Sequence, residues 1–312
     1  MLQSPEHVIH KYLKGSLEIS AFEGSLDALE STHNPLRYGF FSLGIRELVS
    51  NHVIERLGPN EKVVACEWWK DKPRKKDTTT AKRTEKMEYA IRGGLSDEFV
   101  TQVLKLNLSV IIDRTHQAVD ELNKYVHYTE DTFNIAPSIG NKLVENTLLA
   151  VQRFFEVIDD LKNMVSEALE TSLHDSVMYA SIDDVLKEVD VLATHYIVEG
   201  SGVNLITIDS IDDQSIKVKV DGYVDVEHQY GSDRDFDKGD GTRIGASYPF
   251  IINLELDVHD PLNFNIETDD LIIDTDDFYG DENEDYEQKH ERSKETPQTE
   301  DKPSPFDPTQ YF

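Results

Sequence analysis

Three carboxylates recur at every second residue in Asp233-Arg-Asp235-Phe-Asp237, and Lys238-Gly239-Asp240-Gly241 follows at once. Like charges at that spacing converge only where a cation, a basic partner or the amides of a tight turn offset their repulsion. The surrounding stretch, residues 229–250, reads QYGSDRDFDKGDGTRIGASYPF. It supports three readings. Asp233, Asp235, Asp237 and Asp240 hold a divalent cation, magnesium or calcium. Alternatively, the aspartates cap neighbouring amides in a structured turn whose glycines supply positive φ. As a third reading, the glycines let the backbone approach a ligand or protein partner closely. The pattern departs from an EF-hand loop, with Lys238 where that loop has Gly and Ile244 where it has Glu.

Two further strings carry candidate chemistry. Arg46 and His52 are separated by Glu-Leu-Val-Ser-Asn. The string resembles the motif of HEPN-type helical ribonucleases, Arg followed by four to six residues and His, and that resemblance implies metal-free cleavage with His as acid or base and Arg stabilising the phosphate. Asn123-Lys124-Tyr125-Val126-His127 offers a second histidine, but Glu121 and Leu122 stand where an arginine would be needed. Lys124 can meet a phosphate there as a point charge, without the planar fork of Arg. A histidine at a helix end interacting with the helix dipole is the bland alternative for His127. A metal-dependent nuclease core is not convincing: Asp235-x-x-Lys238 is one residue too long, and Glu287-Gln-Lys289 lies in the acidic tail.

A basic island supplies a possible nucleic-acid grip. Residues 70–86 hold eight Lys/Arg against Asp71, Asp77 and Glu85, a net of +5. Lys70, Lys72, Arg74, Lys75 and Lys76 follow Trp68-Trp69, and aromatics beside cations stack bases and hold phosphates. The competing reading is a solvated loop with a Trp in the core.

Charge elsewhere is strongly negative. The 312 residues carry 31 Lys/Arg and 61 Asp/Glu, a formal −30. Residues 257–312 alone hold 18 acids and four bases, a net of −14. General nucleic-acid affinity is therefore not expected, although the local island can still attract phosphates. The tail ends Phe306-Asp-Pro-Thr-Gln-Tyr311-Phe312, which suits a carboxylate-docking mode on a partner. A single cysteine, Cys66, rules out an intramolecular disulfide and fits a reducing compartment. The N-terminal residues lack a signal-peptide core, and no apolar run approaches the roughly 18–20 residues of a membrane span. A cytoplasmic protein without a membrane role is expected.

The elements that must position these groups change period along the chain. Residues 38–57 follow amphipathic helical spacing and stop at Gly58-Pro59. Ser96 is expected to cap one helix running to Val126, and a second long helix follows the 134–140 turn through Leu169. The two would form an antiparallel pair. Ser181-Ile-Asp-Asp184 resembles a capping box opening a shorter helix to about Tyr196. Past Gly200-Ser-Gly202 the spacing becomes two. Val203–Ile208, residues 216–226, residues 248–258 and a weaker stretch at 270–275 predict an antiparallel sheet with one buried face.

Taken in order, RYGFFSLGIRELVSNHVIERLGPNEKVVACEWWK, EYAIRGGLSDEFV, LNKYVH and YGSDRDFDKGDG…SYPF resemble a bacterial family. In it a HEPN-like helical region precedes a β-rich domain described as a predicted pPIWI-associating nuclease. The resemblance spans roughly residues 35–278 and implies nucleic-acid processing or sensing in conflict with phage or mobile elements. It also implies a protein partner from the same defence system. The chain departs from the helical ribonuclease motif before His127, where Glu121 and Leu122 stand in place of arginine. The expected fold is α+β: a lead region at 1–36, a HEPN-like helical domain at 37–198 able to support oligomers, an antiparallel β domain at 199–278 and a disordered acidic tail at 279–312. The alternative function is a non-catalytic module that binds a partner through the 229–250 loop and the tail, and could neutralise a basic toxin.

Overall fold

The computed structural model describes residues 4–75, 78–127 and 129–279, excluding the side chains of Asp233 and Tyr279. Lys76 and the expected acidic tail from residue 280 lie outside the described residues.

Helices come first. α1 (Pro5–Tyr12) is capped by Ser4, and α2 (Gly15–Glu30) follows. α3 (Arg37–Glu47) passes through a π-helical stretch, Leu48–Val53, into α4 (Ile54–Leu57), which ends at Gly58 as its sequence predicts. Short helices α5 (Asn60–Ala65) and α6 (Glu67–Lys70) lead to α7 (Arg83–Arg92). Beyond them lie α8 (Ser109–Glu121), α9 (Asn123–Val126), α10 (Pro137–Asp183) and α11 (Lys187–Asp190).

The expected single helix from Ser96 to Val126 is broken. Ser96 does cap its start, accepting from the Phe99 amide at 3.1 Å. The chain then widens into a π turn, Phe99–Val103, and stops where Lys105 takes a left-handed φ of 53°. The Leu106 amide closes back on the Val100 carbonyl at 3.0 Å, a left-handed helix stop. Asn107 then accepts from the Ser109 amide and restarts the helix as α8.

The expected helix at 181–196 is also corrected. α10 runs 47 residues without interruption, so Ser181 lies in its last turn and opens nothing. Leu161, Val165, Leu169, Leu173, Val177 and Ala180 keep the three/four spacing of a buried stripe. Ser181 turns inward, its hydroxyl 2.9 Å from that of Ser201. Tertiary pairing here outweighs the local capping pattern.

The sheet is antiparallel, in the order β1-β2-β3-β4. β1 (His195–Ile211) starts eight residues earlier than Val203, carrying Gly200-Ser-Gly202 inside the strand with register shifts beside it. β2 (Ser215–Tyr230) and β3 (Thr242–Asp257) are long, and β4 (Ile272–Ile273) is short. Ile216, Val218, Val220, Val224 and Val226 of β2 are buried with Tyr248, Phe250 and Ile252 of β3. The C-terminal half of α10 covers β1: Ser166 donates to the Ile206 carbonyl at 2.9 Å and Lys162 to that of Asp209 at 2.6 Å. One hydrophobic core runs from α1 to β4, so the helical and β regions share their packing. No helix among the described residues is long and apolar enough to cross a membrane.

The β1–β2 hairpin tip is pressed against the end of α7. Asp212 accepts from the Gln214 and Ser215 amides, shaping the turn. The Gly94 amide donates to the Asp212 carbonyl at 2.7 Å, and Lys62 pairs with the buried Asp213 at 2.5 Å. A Cβ on Gly94 would lie 2.8 Å from the Asp213 carbonyl oxygen. Arg92-Gly93-Gly94 is thus a joint that admits the hairpin.

Candidate active site

Helical packing brings together two strings that are far apart in sequence. α9 lies against α3. Arg46 Nη1 donates to Asn123 Oδ1 at 3.0 Å, and its other terminal nitrogen pairs with Glu47. The guanidinium is therefore pinned from two sides while its side chain stays 28% exposed. Asn51 and Arg46 hold the Glu47 carboxyl below the ordinary range, and His52 adds to that pull. His52 is exposed on the π-helical stretch, and its charge also bears on Glu18. π-helical stretches often occur at functional sites.

Lys124 lies on α9 and His127 follows it. Lys124 is exposed and reaches Glu121 at 3.4 Å. His127 follows α9 in extended conformation, its carbonyl held by the Thr132 hydroxyl at 2.9 Å and its side chain exposed. Arg46 of α3 thus reaches α9 at Asn123, four residues before His127. A guanidinium held at both terminal nitrogens thus lies on α3, an exposed histidine on its π-helical continuation, and an ammonium and a second exposed histidine on α9 and the residue after it. Such groups can bind a phosphate and move protons.

The basic island is largely internally paired. Arg74 stacks over Trp69 at 3.7 Å and pairs with Glu85 at 2.8 Å. Burial pushes the Glu85 carboxyl up, but the Lys82 amide, Arg74 and Trp69 outweigh it and hold the group below its ordinary value. Lys72 lies over Trp68 at 4.6 Å and pairs with Glu88 at 2.7 Å. Both tryptophans are buried, and their indole nitrogens donate to Gly93 and Glu85. Trp69 is committed to this packing, which is unlike a stacking platform open to a base. Lys70 and Lys75 are exposed and form no ion pair among the described residues.

The Asp run forms a short helix, α12 (Asp233–Lys238), between β2 and β3. Alternate residues that would share one side of a strand diverge around a helix. Asp235 accepts from the amide and hydroxyl of Ser232 at 2.8 and 2.7 Å, which lowers its pKa. Gly239 closes the helix at a left-handed φ of 81°. Asp237 and Asp240 are exposed. Among the described residues no three His, Cys, Asp or Glu side chains gather to hold a metal ion.

Sequence spacing missed a groove of about 460 Å³ between α8 and α10. Arg114, Gln117, Asn146 and Arg153 line it over a floor that includes Ala118 and Ala150. Arg153 pairs with Glu156 and Asp160, whereas Arg114 forms no ion pair among the described residues. Only the antiparallel helix packing places Arg114 near Arg153, so no local motif announces the groove.

Residues 11–151 and 158–279 match two family models, each described as a predicted pPIWI-associating nuclease. No curated protein and no solved structure matches the chain.

Proposed function

This chain belongs to the predicted pPIWI-associating nuclease family, and on that premise we propose that it cleaves RNA through the Arg46–His127 surface. The observation that carries this reading is the 3.0 Å bond from Arg46 to Asn123, which joins the arginine of α3 to the histidine-bearing α9 region. His127 takes the proton of a ribose 2′-hydroxyl, whose oxygen attacks the adjacent phosphorus as the bond to the 5′-oxygen breaks. His52 is the second titratable group for protonating that leaving oxygen. Arg46 and Lys124 stabilise the charge that accumulates on the phosphate. The helical arrangement is HEPN-like on this reading.

We place the activity in bacterial defence against phage or mobile elements, with a protein partner from the same system. The family's description as pPIWI-associating is the support. A buried, free Cys66 fits a reducing cytoplasmic setting.

The test is cleavage of labelled single-stranded RNA in excess EDTA by the wild-type chain and by His127→Ala. Products ending in 2′,3′-cyclic phosphate, lost in the variant, are expected. Cleavage unaffected by His127→Ala would sink the mechanism, and absence of cleavage in EDTA, magnesium and manganese alike would sink the enzyme reading.

A further inference from the structure

The end of α10 presents an unusual surface. Tyr179 is 65% exposed and Ile182 61%, with Met178 about half exposed. Met178 and Ile182 are four residues apart on the helix and Tyr179 and Ile182 three, so their side chains form one contiguous stripe. Single exposed apolar residues are ordinary, whereas a stripe of this kind calls for a partner.

Beside the stripe lies a cleft of about 500 Å³ whose walls include Tyr179, Asp183, Asp184, Glu267 and Asp269. Lys187 is the cation closest in sequence to this acidic rim, and it is bound to Asp269 at 2.6 Å. Asp183 and Asp184 also sit at the C-terminus of the 47-residue helix, where the backbone dipole adds negative potential. The surface therefore combines apolar anchor points with a rim on which, among the described residues, four carboxylates face the single cation Lys187.

We propose that this shoulder docks a basic amphipathic segment of a partner protein, with aliphatic or aromatic anchors on Tyr179 and Ile182 and Lys/Arg side chains over the cleft. Charge complementarity selects that occupant. The chain's own residues 280–312 carry ten acids and four bases and would meet like charge. A second copy presenting the same shoulder would do so too. This inference stands apart from the catalytic reading.

The experiment uses the full chain and two synthetic probes followed by fluorescence anisotropy: an amphipathic Leu/Lys helical peptide, and a Lys/Gly/Ser peptide of equal charge. The amphipathic probe should bind about ten-fold tighter than the control. Ile182→Ser and Tyr179→Ser should each weaken it several-fold while leaving the thermal midpoint unchanged, since both side chains face solvent. Asp183→Asn with Asp184→Asn should reduce its salt dependence. Equal binding of both peptides, or indifference to Ile182→Ser, would overturn the proposal. A concentration-dependent dimer lost in Ile182→Ser would replace the partner with a second copy. Photo-cross-links from a reactive methionine analogue at position 178 to residues 281–312 would replace it with the tail.

Discussion

Arg46 and Asn123 are 77 residues apart, yet Arg46 Nη1 donates to Asn123 Oδ1 at 3.0 Å and ties α3 to α9. On the proposed mechanism this bond orients a guanidinium toward a phosphate beside His127. Arg46→Ala should reduce single-turnover RNA cleavage by about 10²–10³-fold, the usual effect of removing one preorganised charge donor. Arg46→Lys should recover little, because an ammonium lacks the planar fork that engages Asn123 and a phosphate together. Circular dichroism should be unchanged, as the pair is partly exposed. Full activity in Arg46→Ala would remove Arg46 from the site.

The joint at Arg92-Gly93-Gly94 should be far less tolerant. A methyl group on Gly94 meets the Asp213 carbonyl oxygen at 2.8 Å and that of Asp212 at 3.0 Å, both backbone atoms. Accommodating it means lifting the hairpin tip and stretching the Gly94 amide–Asp212 bond and the Lys62–Asp213 pair. Gly94→Ala should destabilise the chain by about 2–4 kcal/mol, measured by urea unfolding. Gly24→Ala is the control, since its Cβ meets no atom within 4 Å. Equal midpoints for the two variants would mean that the hairpin is not held there.

The α+β order was legible because its signals are periodic. The three/four spacing after residue 137 and the alternation of Ile216, Val218 and Val220 each encode one buried face. Element ends were less legible. Ser181 carried a local capping pattern, but burial of Val177 and Ala180 extended α10 past it. Gly200 and Gly202 read as a boundary, whereas β1 absorbs them at a register shift. The candidate site was legible only as fragments. Arg46, His52, Lys124 and His127 were visible residue by residue, but the Arg46–Asn123 contact depends on the packing of α9 against α3. Likewise, Trp69 and Arg74 read as a nucleic-acid grip because sequence does not reveal that Glu85 engages both.

The Asp run of α12 should behave as structure. Asp235 holds the amide and hydroxyl of Ser232 in a capping box that starts the helix. Asp235→Ala should speed hydrogen exchange across residues 232–241 and leave the rest of the chain protected as before. It should also leave RNA cleavage unchanged in magnesium, manganese and EDTA. Loss of cleavage restored by higher magnesium would instead return Asp235 to a cation site.

His228 should make stability fall in mild acid. Its ring is fully buried, with Nε2 2.7 Å from the Tyr248 hydroxyl and the Phe278 ring 5.5 Å away. Nδ1 is buried without a hydrogen-bond partner among the described residues. Burial disfavours the charged ring and lowers its pKa below the ordinary 6.5. Between the folded and unfolded values the unfolded chain binds the extra proton, so stability rises with pH in that window and is lost as pH falls below about 6.5. The contribution is fully present above that pH. The thermal midpoint should therefore drop between pH 7 and pH 5 at fixed ionic strength. His228→Gln should flatten that part of the profile, at the cost of a lower midpoint at pH 7 where the fit to Tyr248 is disturbed. A profile of unchanged slope in the variant would assign the acid sensitivity to other groups.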